Sequence, residues 1–380
     1  MSPLEIAALH VTRATPIREV IEVIDRSARL SLALLVDADG RLEATITDGD
    51  VRRAIMHGLS LDAPTEAMLP IKARLPHPDP VTAPVGTDPA TQLALMQERR
   101  VRQLPLLDAA GRVVDITLLT DLLPQEPQQM QAVIMAGGLG TRLRPLTDDL
   151  PKPMLPIGGK PLLEHIVGRL HDSGISQIVV TTHYLPEKIV EHFGDGHEFD
   201  VALEYVNEDQ PLGTGGALGL IPRPRETLLV VNGDVLTNVD FEAMLAYHQE
   251  QGADLTLGVR RYGFQVPYGV VECNGGPQVL AVTEKPELSF FVNAGIYLLE
   301  PVVWSHVGRG TRLNMPDLIA RVIDAGLDVV SFPVLEYWMD IGRNEDYARA
   351  QSDVDADREA RVAAVDAAAA SLTDADPREG

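Results

Sequence analysis

Short segments of this chain carry residue types that handle phosphate. Ala136-Gly137-Gly138-Leu139-Gly140-Thr141-Arg142 follows directly on an apolar run, Ala132-Val133-Ile134-Met135. Glycines let a backbone approach a phosphate closely and turn its N–H groups toward the oxygens. An arginine closes the loop, and Lys152 follows between prolines in Pro151-Lys152-Pro153-Met154. Two cations beside a glycine cradle suit an anionic ligand and are hard to explain by packing. Two familiar cradles are excluded by spacing. Leu143 stands where a dinucleotide fingerprint needs its third glycine, and no lysine completes a Walker loop. Asp234 closes a further apolar run, Leu228-Leu229-Val230-Val231-Asn232-Gly233. A carboxylate there suits either Mg²⁺ beside phosphate or a simple turn.

Strands and helices must alternate to position these loops. Gln177–Thr181, Leu228–Val231 and Leu255–Val259 read as buried strands, with helices over Pro161–His171, Pro186–Phe193 and Phe241–Gln251 between them. Such alternation predicts an α/β domain with a mostly parallel sheet, whose ligands bind at the carboxyl ends of strands.

The remaining composition narrows the function class. There are 55 acidic and 32 basic residues, a net charge of −23, which repels phosphodiester backbones and argues against nucleic-acid binding. A single cysteine, Cys273, leaves no internal disulfide and no cysteine-cluster zinc site. No apolar run reaches the ~18 residues of a membrane span, and the amino terminus lacks a secretory layout, so a soluble cytoplasmic protein is expected. His165 and His183 have no metal-ligand spacing and read as structural.

The first third repeats itself. Leu34-Leu35-Val36-Asp37-Ala38-Asp39-Gly40-Arg41 matches Leu106-Leu107-Asp108-Ala109-Ala110-Gly111-Arg112, and Thr15-Pro16 and Asp88-Pro89 read as starts of equivalent helices. The turn Asp37-Ala38-Asp39-Gly40 and the step Ile46-Thr47-Asp48-Gly49-Asp50-Val51-Arg52 resemble a tandem cystathionine-β-synthase (CBS) pair, an α+β module. The resemblance places an adenine nucleotide on Thr47 and Asp50. In the second copy Asp121 is kept but Leu118 replaces the threonine. The alternative is a module for packing and self-association only, and a homo-oligomer is expected either way. The division is residues 1–125 for the pair (copies at about 9–65 and 76–125), 126–130 for a proline-bearing linker, 131–348 for the second domain, and 349–380 for an acidic, alanine-rich tail.

The second domain also resembles a known family. Gly137-Gly138-x-Gly140-Thr141-Arg142-Leu143-x-Pro145-Leu146-Thr147 and Pro151-Lys152-Pro153-Met154 are similar to the signature of sugar-1-phosphate nucleotidyltransferases. Gly213-Thr214-Gly215-Gly216, Asn232-Gly233-Asp234, Glu284-Lys285-Pro286, Asn293-Ala294-Gly295 and Trp338-Met339-Asp340-Ile341-Gly342 continue it in the family's order. The resemblance implies a Rossmann-like, GT-A-like fold and transfer of a nucleoside monophosphate from a nucleoside triphosphate to a sugar 1-phosphate. It implies that Arg142 and Lys152 hold the triphosphate and that Asp234 and Asp340 hold Mg²⁺. Ala136, Gly137, Gly138, Gly140, Thr141, Gln210, Gly213 and Thr214 would contact the nucleotide. Gly269, Glu284, Lys285 and Asn293 would contact the sugar phosphate. The strings are most similar to guanylyltransferases acting on mannose, heptose or glucosamine 1-phosphates, so GTP is favoured over UTP, dTTP or CTP. A nucleotide-sensing protein with an inactive transferase half is the alternative. It predicts loss of one of Arg142, Lys152, Asp234, Asp340 or Lys285, and all are present.

Overall fold

The apolar runs after residue 130 become strands of one seven-stranded sheet. The computed structural model describes residues 3–27, 30–75, 78–122 and 130–356. Residues 126–129 of the expected linker, the two ends of the second repeat at 76–77 and 123–125, and 357–380 of the tail lie outside them. The chain forms two units, Met1–Pro127 and Gln128–Gly380.

In the larger unit the strands are β1 (Gln131–Met135), β2 (Gln177–Thr182), β3 (Ala202–Asn207), β4 (Leu228–Asn232), β5 (Leu255–Gln265), β6 (Glu287–Leu299) and β7 (Val329–Pro333). Their order is β3-β2-β1-β4-β6-β5-β7. β3, β2, β1 and β4 pair in parallel, β6 is antiparallel to both its neighbours, and β7 is parallel to β5. The sheet is thus mostly parallel, with β6 the one reversed strand. Four longer helices cover it: α1 (Leu162–Asp172), α2 (Pro186–Phe193), α3 (Phe241–Gln251) and α4 (Met315–Asp324).

Alternation along the strands decides the two cores. Ala132 and Ile134 of β1 face Leu163, Ile166 and Val167 of α1, Ile189 and Phe193 of α2, and Phe241 and Met244 of α3. Val133 and Met135 face the opposite core, with Leu318 and Val322 of α4. Each such fully buried side chain is worth roughly 1.5–3 kcal/mol, so a sheet covered on both faces tolerates near-continuous apolar strands.

β5 and β6 run past this core. Beyond Val259 and Asn293 they form an exposed two-stranded arm, continued by a ribbon of Val270–Cys273 paired with Val279–Thr283. The strand expected to end at Val259 therefore extends to Gln265, because only its first half is buried.

The helix after Asp340 spans residues 344–356 and crosses the expected start of the tail. Ala350 is fully buried, and the Gln351 carboxamide accepts from Gly158 N at 3.0 Å. Residues 349–353 therefore belong to the packed unit.

The smaller unit contains the repeat. Leu32–Val36 pairs antiparallel with Leu42–Thr47, and Gln103–Leu107 with Val113–Leu118, each with a bulge at the same place. Asp37 Oδ1 accepts from Asp39 N and Arg41 N, and Asp108 Oδ1 accepts from Ala110 N and Arg112 N, so both turns close identically. Asp88 caps its helix through Thr91 N. Thr15 does not cap the first one; Pro16 takes that position, and Thr15 Oγ1 accepts from Thr12 N instead.

Thr47 and Asp50 form a reciprocal capping box at the start of Asp48–Met56. Asp50 is 5% exposed and lies 2.8 Å from both Lys72 Nζ and Arg53 Nη2. Burial alone would push its carboxyl up, but the charges of Lys72 and Arg53 hold it below the ordinary carboxylate range. The Thr-x-x-Asp step thus serves to cap the helix, and Asp50 also joins a buried ion pair with the distant Lys72.

Candidate active site

A cleft of about 350 Å³ opens at the carboxyl ends of β1, β2 and β4. Gly137, Gly138, Gly140, Thr141 and Arg142 line it from the loop after β1, Lys152 and Asp234 from below, and Gly213 and Thr214 from the far side. The loop turns back on itself at Gly140, whose φ is 62° and whose Cβ, if present, would lie 3.0 Å from Thr147 Cγ2. Thr147 is buried and donates to Gly140 O at 2.9 Å. Tyr184 Oη donates to the carbonyls of Thr147 and Asp148 at 3.2 and 2.7 Å. These bonds fix the loop's shape without using its side facing the cleft.

Lys152 opens a single 3₁₀ turn and is 7% exposed. Its ammonium lies 2.5 Å from Asp234 Oδ2 and 4.0 Å from Asp340 Oδ1. The two aspartates, far apart in sequence, meet because Val235–Thr237 pairs antiparallel with Trp338–Asp340 and Ile341 N donates to Asp234 O. Asp340 does not cap the following helix, which begins at residue 344. Its carboxyl is pushed up by burial and by the charge of Asp234, with Lys152 and Arg142 partly opposing. Two carboxylates this close form a site with excess negative charge, and oxygen donors of this kind suit Mg²⁺. No cluster of three or more metal-ligating side chains occurs among the described residues.

Arg142 is exposed on the lip of the cleft, where its fork can reach an entering anion. Ala136 and Gln210 do not line the cleft. Ala136 is buried and donates its N–H to Thr181 O, while Gln210 is on the exposed side of its loop. Glu208, two residues earlier, lines it instead. It is buried, accepts from Leu212 N at 2.8 Å, and burial pushes its carboxyl up despite that bond and the nearby His183. A Cβ on Gly137 would lie 2.5 Å from Glu208 Oε1, so the glycine makes room for this carboxylate. Sequence reasoning missed Glu208. No local signal marks it, because its burial beside Gly137 depends on the path of the chain after β3.

The glycines of Gly213–Gly216 serve a second purpose. Gly215 N and Gly216 N donate to Leu313 O, and Thr214 Oγ1 accepts from Met315 N at the start of α4. A Cβ at Gly213 or Gly216 would strike the backbone of residues 311–313.

Among the residues expected at the sugar phosphate, none lines the cleft. Gly269, Glu284 and Lys285 sit where the arm bends into its ribbon, with Lys285 at φ 45° and its carbonyl 3.4 Å from Gln265 Nε2. Asn293 lies at the foot of the arm, where its Oδ1 accepts from Gly295 N at 2.8 Å. His183 Nδ1 is 2.7 Å from Glu208 O, and His165 Nε2 is 2.9 Å from Ile157 O, both structural contacts.

Residues 131–357 match the nucleotidyl transferase family, and residues 5–57 and 71–125 each match the CBS domain. A mannose-1-phosphate guanylyltransferase of Mycobacterium tuberculosis is 36% identical over 232 residues, 60% of this chain and 65% of the relative. A UTP–glucose-1-phosphate uridylyltransferase of Synechocystis is 34% identical over 241 residues, 58% of this chain and 62% of the relative. The matches therefore span under two thirds of these relatives' own lengths. Among solved structures, HddC of Yersinia pseudotuberculosis complexed with GMP-PN is 25% identical, with a TM-score of 0.47 over 60% of this chain and 100% of that one. No helix among the described residues is long and apolar enough to cross a membrane. With the glycine loop, Arg142, Lys152 and Asp234 lining one cleft and Asp340 beside Lys152, the chain belongs to the nucleotidyl transferase family and carries two CBS domains ahead of that domain in the sequence.

Proposed function

We propose that this chain transfers a nucleoside monophosphate, from GTP by preference, to a sugar 1-phosphate and releases pyrophosphate. The observation that carries the reading is the convergence of Gly137, Gly138, Gly140, Arg142, Lys152 and Asp234 on one cleft. In the reaction, a phosphate oxygen of the sugar 1-phosphate attacks the α-phosphorus, and the bond from that phosphorus to the bridging oxygen of pyrophosphate breaks. Both reactants are anions, so the barrier is set by charge repulsion and alignment. The loop's N–H groups and Arg142 draw the triphosphate in and favour the departing pyrophosphate. Lys152, confined by its prolines, offers its charge near the α-phosphate. Asp234 and Asp340 would hold Mg²⁺, which supplies charge neutralisation and alignment of phosphate oxygens when bound. No imidazole base is needed, because the attacking phosphate is already ionised.

Glu208 supports the preference for guanine. A carboxyl oxygen can accept hydrogen bonds, and guanine's N1–H and N2–H₂ form a two-donor edge that uracil and thymine lack. The guanylyltransferase from Mycobacterium tuberculosis points the same way. Gly269, Glu284, Lys285 and Asn293 would meet the sugar phosphate along the arm, which requires the arm to approach the cleft when substrate binds. The test is pyrophosphate release by the full-length protein with Mg²⁺, crossing four nucleoside triphosphates with hexose, hexosamine and heptose 1-phosphates. Release with GTP and one sugar supports the whole reading, and release with another triphosphate only overturns the base preference. Asp234→Asn should lose turnover by orders of magnitude; near-native turnover would remove Asp234 from the metal site.

A further inference from the structure

Lys152 has two alternative partners, and they do not suit it at the same time. Its ammonium sits on Asp234 Oδ2 at 2.5 Å and within 4.0 Å of Asp340 Oδ1. Pro151 and Pro153 fix the backbone on either side, and the side chain is only 9% exposed, so it cannot retreat into solvent. The cleft, which it also lines, is its other outlet. With the ammonium in place, the three groups carry a net charge of −1. A divalent cation drawn to the same carboxylates would meet a like charge within a few ångströms in a partly desolvated site, where such repulsion is strong.

We infer that Lys152 gates the metal site: its ammonium competes with a divalent cation for Asp234, and a triphosphate relieves the competition by taking the ammonium as its own counter-ion. Metal and nucleotide then bind with mutual reinforcement, since a group that opposes one ligand and welcomes the other couples the two reciprocally. The protein by itself holds the cation weakly, and a bare cation does not preoccupy the site. The inference rests on the assignment of Asp234 and Asp340 to the metal.

Mn²⁺, a paramagnetic stand-in for Mg²⁺, tests this without any turnover. Its binding to the full-length protein, in the absence of nucleotide, is followed by the electron paramagnetic resonance of the free ion. Lys152→Gln should bind Mn²⁺ roughly tenfold or more tightly than the unaltered protein. Lys152→Arg, which keeps the charge, should show no such gain. Lys152→Met preserves the stem and serves as a second neutral variant if the glutamine disturbs folding. Equal or weaker binding in both neutral variants overturns the gate. Adding Asp234→Asn to Lys152→Gln separates the two ideas. Loss of the gained affinity supports the gate at this site, whereas unchanged affinity places the ion elsewhere and overturns the metal assignment itself.

Discussion

Replacing Asp50 by asparagine should destabilise the smaller unit more than any surface change there. The carboxylate is 5% exposed and lies 2.8 Å from both Lys72 Nζ and Arg53 Nη2. It also accepts from Thr47 N at 3.0 Å and closes the capping box of the following helix. Asparagine preserves the shape and can still cap, but it leaves the buried Lys72 ammonium facing a neutral amide. Removing one partner of a buried pair costs about 3–5 kcal/mol. That is a large part of the ~5–15 kcal/mol that stabilises a typical domain. The pH dependence follows from the same pair. The folded carboxyl is held below its ordinary value, so its contribution is fully present above the unfolded pKa of about 4 and is lost as pH falls through the folded pKa. The unaltered unit should therefore weaken on acidification below about pH 4, while Asp50→Asn changes less over that window. Hydrogen exchange of peptides covering residues 42–56 and 69–75 in the full-length chain reads this unit separately from the larger one. A loss of opening free energy under ~1 kcal/mol would refute the argument, because a buried pair cannot be broken so cheaply. An intact fold with lost adenine-nucleotide binding would instead give Asp50 the ligand role its motif suggests.

Three further outcomes concern the cleft. Gly137→Ala should raise the KM for the nucleoside triphosphate with little change in thermal unfolding, since its Cβ would fall 2.5 Å from Glu208 Oε1 and displace that carboxylate. Steady-state kinetics beside a melting curve check it. Glu208→Gln should narrow the preference for GTP over UTP by roughly 10-fold or more in kcat/KM, the worth of one paired base contact; unchanged selectivity would separate Glu208 from the base. Thr147→Val removes the bond to Gly140 O and should cost about 1 kcal/mol of stability together with a weaker hold on the triphosphate. Thr147→Ser should restore both, which fluorescence-monitored unfolding and nucleotide titration can show.

Much of the larger unit was readable along the chain because its signals are local. Apolar runs of strand length, bounded by glycine and proline, announced β1, β2, β4 and the buried half of β5, and the helices between them began within a residue of their expected starts. The glycine loop, Arg142 and Lys152 could be assigned to phosphate from adjacency alone, since their functional neighbours are also their sequence neighbours. The repeat in the first third was equally plain, because each copy closes its turn with its own aspartate.

Other features depended on distant segments. Residue order could not show that Lys152 sits on Asp234, because the pairing of Val235–Thr237 with Trp338–Asp340 brings those groups together. Nothing in the residue order marks Glu208, which the path of the chain after β3 buries against Gly137. Thr47 and Asp50 carried a ligand motif, and only the approach of Lys72 revealed a buried ion pair there. Gly213 to Gly216 read as ligand contacts, yet backbone crowding from residues 311–314 constrains them as strongly. The reason is common to all four cases. Sequence records which groups a segment can offer, while burial and partnership depend on segments that meet only after the chain has folded.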